Sequence, residues 1–143
     1  MADSAPAATA MSTGYKSEAP YIGCYPQTFG MAGAKNYDPA KADMPIATVL
    51  EAAKYSGRST GVVSTSRVNH ATPAAFYSHH PSRKEYDTLI EQGVYQNIDV
   101  VLGAGTNYLT AEKRNDGEDL ISVLKDKGYT CLLYTSPSPR DAT

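Results

Sequence analysis

The run TGVVSTSRVNHATPAAFYSHHPSRKEYDTLIEQGVYQNIDVVLGAG (60–105) decides the fold class, because extended and helical signals alternate within it. Its opening, TGVVSTS (60–66), is short and β-branched, which reads as a buried strand. Its close, IDVVLGAG (98–105), is the cleanest strand in the chain and runs into a glycine-rich turn. Between them, ATPAAFYSHH (71–80) reads as a short helix stopped by Pro81, and KEYDTLIEQGVYQ (84–96) as another. Strands alternating with helices through compact turns predict an α/β architecture around a mainly parallel sheet.

Outward from this block the same alternation continues. DSAPAATAMSTG (3–14) reads as a helix, with Asp3 or Ser4 as its cap, Pro6 in the first turn and Gly14 past its end. DMPIATVLEAAKYSG (43–57) predicts a further helix, capped near Asp43 and ended by Gly57. DGEDLISVLKDKGY (116–129) is amphipathic, and its charges read as a solvated face. Residues 15–41 are rich in Gly, Pro, Tyr and Ala without a period, which predicts a long irregular excursion.

Composition narrows the functional classes. The 143 residues carry a formal charge of −2, with 41% hydrophobic and 20% charged residues, as in an ordinary soluble domain. With no basic stripe, nucleic acid is not an expected partner. No apolar run reaches the roughly 18 residues of a bilayer span, and no secretory leader is visible at the start. Cys24 and Cys131 lack metal or redox spacing. The tail CLLYTSPSPRD (131–141) breaks the pattern and back-translates without a gap into a transposase adapter sequence used in sequencing libraries. We therefore expect one partial domain at 1–130 and a non-native tail at 131–143.

Read by its residues alone, the Asp3–Ser4 pair at a helix start is first of all a cap. The same place could serve chemistry, because a helix N-terminus offers amide donors and a positive dipole end to an anion such as phosphate. A serine hydroxyl needs such help to act as a nucleophile. Arg83 alone would be a surface arginine, and Thr72 the cap of the helix after it. His79 and His80 have no carboxylate or second His at metal-ligand spacing, so they read as helix-end residues. The GAG turn at 103–105 lacks a nucleotide-binding pattern.

The segment ADSAPAATAMSTGYK (2–16) resembles the nucleophile signature of the alkaline phosphatase family. ATVLEAAKYSGRSTGVVSTSRVNHATPAAFYSHHPSRKEY (47–86) and IDVVLGAGTNYL (98–109) are similar to that family's next segments, in order. The resemblance implies a fragment of a three-layer α/β/α sandwich. It implies hydrolysis of phosphate monoesters through a phosphoserine on Ser4, with release of inorganic phosphate. Arg83 then matches the arginine that grips phosphate, a task suited to its planar fork. Asp3 matches the carboxylate that orients this arginine. Ser4 is also implied as a zinc ligand, Thr72 as a magnesium ligand, and His70 as a residue beside the magnesium site that alters metal preference.

The full family machinery holds two zinc ions and one magnesium ion, and two close metals can clamp the attacking and leaving oxygens of a displacement. Candidates for the zinc ligands are missing here, since the three histidines all precede residue 81. The strand expected before Asp3 is missing as well. The expectation is thus a piece of a homodimeric, periplasmic or extracellular phosphatase, inactive by itself. Two alternatives are a phosphodiesterase or sulfatase-like hydrolase of the same superfamily, and a non-catalytic α/β domain in which Ser4 is only a cap.

Overall fold

The computed structural model describes residues 3–27 and 38–132. Five helices and two strands follow in the order α1 (Ser4–Thr13), α2 (Val49–Tyr55), β1 (Gly61–Arg67), α3 (Ala71–Ala74), α4 (Tyr86–Tyr95), β2 (Val100–Ala104) and α5 (Leu120–Asp126). Short 3-10 turns lie at Pro39–Lys41 and Thr106–Tyr108. β1 and β2 pair in parallel, with Gly61 opposite Val100 and Val63 opposite Leu102. A parallel pair cannot be joined by a hairpin, and here the crossover carries α3 and α4. The fold is the expected α/β arrangement with a parallel sheet.

Local chemistry explains most boundaries. Asp3 caps α1 by accepting from the Ser4 amide, and Gly14 closes it in the left-handed region at φ 77°. α2 starts later than expected. Thr48 caps it in a reciprocal box with Glu51, while Asp43 stays outside at φ 64°. Asp43 instead accepts from the Tyr21 hydroxyl and the Gln27 amide. α3 is shorter than expected, ending at Ala74. His70, not Thr72, occupies its N-cap, and no side chain caps it. Within the described part of 15–41, only isolated bridges, Ile22 to His80 and Cys24 to Pro45, and the 3-10 turn break the irregular path. Residues 28–37 and 133–143, most of the expected tail, lie outside the described residues.

Packing places the N-termini of α1 and α3 side by side. Ala5, Ala8, Thr9 and Ser12 of α1 are buried at helical spacing and form one face. That face meets α3, whose Ala71 and Ala74 are fully buried together with Ala75. Small side chains let the two backbones approach closely, and Ser12 Oγ donates to the Ala75 carbonyl at 2.6 Å. Thr9 Oγ1 receives the Gly23 amide at 3.0 Å, fastening the 21–25 segment to the same helix. Ile22, Leu50, Val62, Leu89 and Ile98 complete this core. A second cluster joins Val68, Ile90, Val94 and Leu120.

The strands are less buried than their sequence suggests. Of β1 only Val62 is buried, Val63 is 73% exposed, and every residue of β2 is exposed. Each strand has a single described neighbour, so the faces and outer edges expected to be covered in a parallel sheet lie open.

Two variants probe this framework. Ala8→Leu forces a larger side chain between α1 and α3 and should cost about 1–3 kcal/mol, seen as a lower urea midpoint with an unchanged slope. Asp99 joins α2 to the strand starts: it accepts from the Thr60 amide at 2.7 Å and pairs with Lys54 at 3.0 Å. The Thr60 amide above all, then Lys54, lowers its carboxyl from 3.8 to about 2. A depressed carboxylate contributes stability that is full above its unfolded value and lost as pH falls through its folded one. The stability gap between wild type and Asp99→Asn should therefore be widest above pH 4 and close toward pH 2, measured by urea unfolding at stepped pH.

Candidate active site

Asp3 and Ser4 stand at the start of α1 because the cap geometry puts them there. The Asp3 carboxylate turns back over the helix end and accepts from the Ser4 amide at 2.8 Å. Ser4 Oγ lies 3.4 Å from the same oxygen, too far for a strong O–H···O bond. Its firm partner is Arg83, which arrives from the connection between α3 and α4. Arg83 Nη1 donates to Asp3 Oδ1 at 2.5 Å and to Ser4 Oγ at 2.7 Å. The guanidinium is mostly buried, whereas about a third of the Asp3 side chain remains exposed.

The Arg83 backbone is fixed as well, since its amide donates to the Pro20 carbonyl at 2.9 Å. Next to it, the Ser82 amide donates to His80 Nδ1 at 3.0 Å, so His80 shapes this turn. The donation from Arg83 holds the Asp3 carboxyl below the usual carboxylate range, against a smaller upward push from burial. Asp3 therefore remains a carboxylate facing a cation, and it is a poor proton acceptor for Ser4.

His70 reaches the group from the N-cap of α3. Its Nε2 lies 3.5 Å from Arg83 Nη2. Thr72 is the second residue of α3 and is exposed, and among the described residues no hydrogen bond joins it to the other four. Of the expected site residues, Asp3, Ser4, Arg83 and His70 thus come together, and Thr72 is exposed in the first turn of α3, two residues after His70.

The described residues do not close a metal site at Ser4. The hydroxyls of Ser4 and Thr72 and the imidazole of His70 are suitable donor types. No three carboxylate, imidazole or thiol groups converge there among the described residues. The described cluster of that kind, Glu91, Asp116 and Glu118, lies elsewhere. It already surrounds a cation, the buried Arg114 guanidinium, which pairs with Asp116 and Glu91 and also donates to the Asp87 and Tyr108 carbonyls. A cavity of about 790 Å³ along β2, α4 and α5 contains none of Asp3, Ser4 or Arg83. Its lining includes the exposed residues Val100, Val101 and Leu102 of β2.

Several groups around the site were not visible in the sequence. His79 is not a plain helix-end residue: its Nε2 meets Glu51 Oε1 at 2.9 Å and its Nδ1 the Gly23 carbonyl at 2.8 Å. Glu51 lies 28 residues earlier in the chain, so no local spacing could reveal the pair. Asn69, fully buried beside His70, donates from Nδ2 to the Tyr86 carbonyl at 3.1 Å, and its Oδ1 has no partner among the described residues. Arg67 packs on Tyr86 and Tyr108 at the end of β1. Tyr86 and Tyr108 lie far from Arg67 in the chain, so no local spacing could reveal this group either.

Known proteins are similar to this chain in sequence and in fold. The alkaline phosphatase family model matches residues 1–135. Alkaline phosphatase 3 of Bacillus subtilis (strain 168) is 40% identical, over 90% of this chain and 25% of its own length. The chain thus spans about a quarter of the curated relatives it matches first. Alkaline phosphatase from the Antarctic bacterium TAB5 superposes with a TM-score of 0.74 at 31% identity, over 90% of this chain and 32% of that one. A histidine-to-aspartate mutant of the TAB5 enzyme, with Mg bound in its M3 site, gives 0.76 at 30% identity over 94% and 34%. Sequence and fold together place this chain in the alkaline phosphatase family.

Proposed function

We propose that this chain supplies the nucleophile and the phosphate clamp of a phosphomonoesterase. The observation that carries the reading is the single Arg83 nitrogen shared by Asp3 Oδ1 and Ser4 Oγ. A guanidinium held against a serine hydroxyl at a helix start suits a tetrahedral dianion: the fork meets two phosphate oxygens while the hydroxyl faces phosphorus. Asp3 aims the fork and, being ionised and oriented, keeps it from swinging into solvent.

In the proposed reaction Ser4 Oγ attacks phosphorus as the ester P–O bond breaks, and the alcohol leaves in line with the attack. The serine gives up its proton, and the leaving oxygen gains one. Water then attacks the phosphoserine from the side the alcohol left, restoring Ser4 and releasing inorganic phosphate. Arg83 binds the non-transferred oxygens in both steps and balances charge as it develops. The proposal extends to the whole reading frame that encodes this chain. There Ser4 would be a ligand of one of two zinc ions and Thr72 of magnesium, with His70 beside the latter, in a homodimer outside the cytoplasm. Support for that extension is the family membership and the magnesium-bound relative. This chain's own residues provide only part of the coordination, so no step above runs through a metal.

Two outcomes test the reading in the whole reading frame, with 4-nitrophenyl phosphate as substrate. Ser4→Ala should give no acid-stable phosphoserine after a quench at low pH. A phosphoenzyme equal to wild type would overturn Ser4 as the nucleophile. Arg83→Ala should lose about 1.5–3 kcal/mol of phosphate binding, the scale of hydrogen bonds to a charged group. Inhibition by inorganic phosphate should weaken about ten- to a hundredfold accordingly, and equal inhibition of both proteins would remove Arg83 from the clamp.

A further inference from the structure

Arg67 closes β1 with its guanidinium carbon 4.5 Å from the centroid of the Tyr86 ring and 5.5 Å from that of Tyr108. The two rings lie 5.5 Å apart and tilted at 52°, and Arg67 Nη1 donates to the Tyr108 hydroxyl at 2.5 Å. The guanidinium thus lies over the Tyr86 ring while it donates to the hydroxyl edge of Tyr108, a pairing of ring contact and directed N–H that suits arginine better than lysine.

Tyr86 is the first residue of α4 and stands three positions after Arg83. The N-cap of α4, Glu85, contributes no side-chain hydrogen bond, and the local ties are the Tyr86 amide donating to the Lys84 carbonyl at 2.9 Å and the Lys84 amide to Ser82 Oγ at 3.3 Å. Its start is also held from β1. Arg67 stacks on the Tyr86 ring, and Asn69 Nδ2 donates to the Tyr86 carbonyl at 3.1 Å. The β1 end is itself rigid, because the Val68 amide donates to the Ala104 carbonyl and the Tyr77 hydroxyl to the Val68 carbonyl at 2.6 Å. On its other side the Arg83 amide is tied to the Pro20 carbonyl. The turn that carries Arg83 is therefore fastened at Pro20, at His80 through the Ser82 amide, and at Tyr86.

We propose that Arg67 is a positioning residue for Arg83, acting through its stack on Tyr86. Arg67 does not meet phosphate; it fixes the start of α4 so that the Arg83 fork reaches Asp3 and Ser4 with little freedom. The inference rests on the proposed phosphate clamp and deepens it. It predicts a pattern that ordinary structural support would not give, because the effect of Arg67 must vanish once Arg83 is gone.

The experiment titrates the 143-residue chain with inorganic phosphate and follows the Arg83 guanidinium resonance by NMR. The variants are Arg67→Ala, Arg67→Lys, Tyr86→Leu and Arg83→Ala. Arg67→Ala and Tyr86→Leu should each weaken phosphate binding about tenfold, the scale of a partly desolvated cation–π contact, and should displace the Arg83 resonance. Arg67→Lys, which keeps a cation over the ring but no planar stack, should recover part of both. In the Arg83→Ala background, Arg67→Ala should change phosphate binding less than about twofold, as expected when two residues act through one route. A further loss of about tenfold there would overturn the proposal, since Arg67 would then act directly or through general stability. If the wild-type chain binds no phosphate, the clamp reading is left to the whole reading frame and the Arg83 resonance decides the positioning by itself. A resonance unmoved in Arg67→Ala and in Tyr86→Leu overturns it, and should one variant unfold, the other decides the question alone.

Discussion

The contact of α1 with α3 through alanine is the constraint on which the rest of the site depends. Ser4 opens one of these helices and His70 caps the other, so their separation is set by how closely the two backbones approach. Ala5 and Ala8 on one side, and Ala71 and Ala74 on the other, are fully buried and leave no room for larger side chains. The small residues after Ser4 thus have a packing reason independent of any ligand. The hydrogen bond from Ser12 to the Ala75 carbonyl fixes the same interface near the end of α1. A stripe that looks like low-information sequence is what sets Ser4 against the helix that begins at His70.

How much of the molecule is legible in its sequence follows from the range of the interactions. The cap of α1 at Asp3, its end at Gly14 and both strands are readable because each depends on residues a few positions apart. Local signals start α2 too early because Asp43 and Pro45 form a plausible beginning, while the Thr48–Glu51 box is the one the chain uses. Asp43 is recruited by Tyr21, 22 residues away, and such competition is invisible to a local reading. They also make α3 too long, because ATPAAFYSHH has good helical composition, yet its end is drawn into the bridge between His80 and Ile22. The meeting of Asp3 with Arg83, 80 residues apart, has no signature in composition or period. Only the family resemblance points to it, and the geometry agrees.

The strands show a different kind of limit. Their apolar, β-branched sequence describes the surroundings those residues suit, a sheet covered on both faces. With two described strands, Val63 and Leu102 instead lie more than half exposed. Strand type and parallel pairing are as the pattern predicts, whereas burial is not. Pattern reports preference; burial needs neighbours, and the chain spans about a quarter of its relatives' length.

Asp3 shows which tasks one carboxylate can and cannot perform at this helix start. One carboxylate oxygen accepts from the Ser4 amide and from Arg83, and the serine hydroxyl reaches it only at 3.4 Å. Because those donors hold its proton affinity down, Asp3 is a weak base. It can fix a helix start and an arginine, but it cannot usefully take the proton of Ser4. Activation of that hydroxyl in the proposed reaction must then come from positive charge that stabilises the serine oxygen, and Arg83 Nη1 at 2.7 Å is such a charge. In that reading one guanidinium serves both the proposed nucleophile and the phosphate, and the turn that carries it is tied to Pro20, to His80 and to the Tyr86 carbonyl.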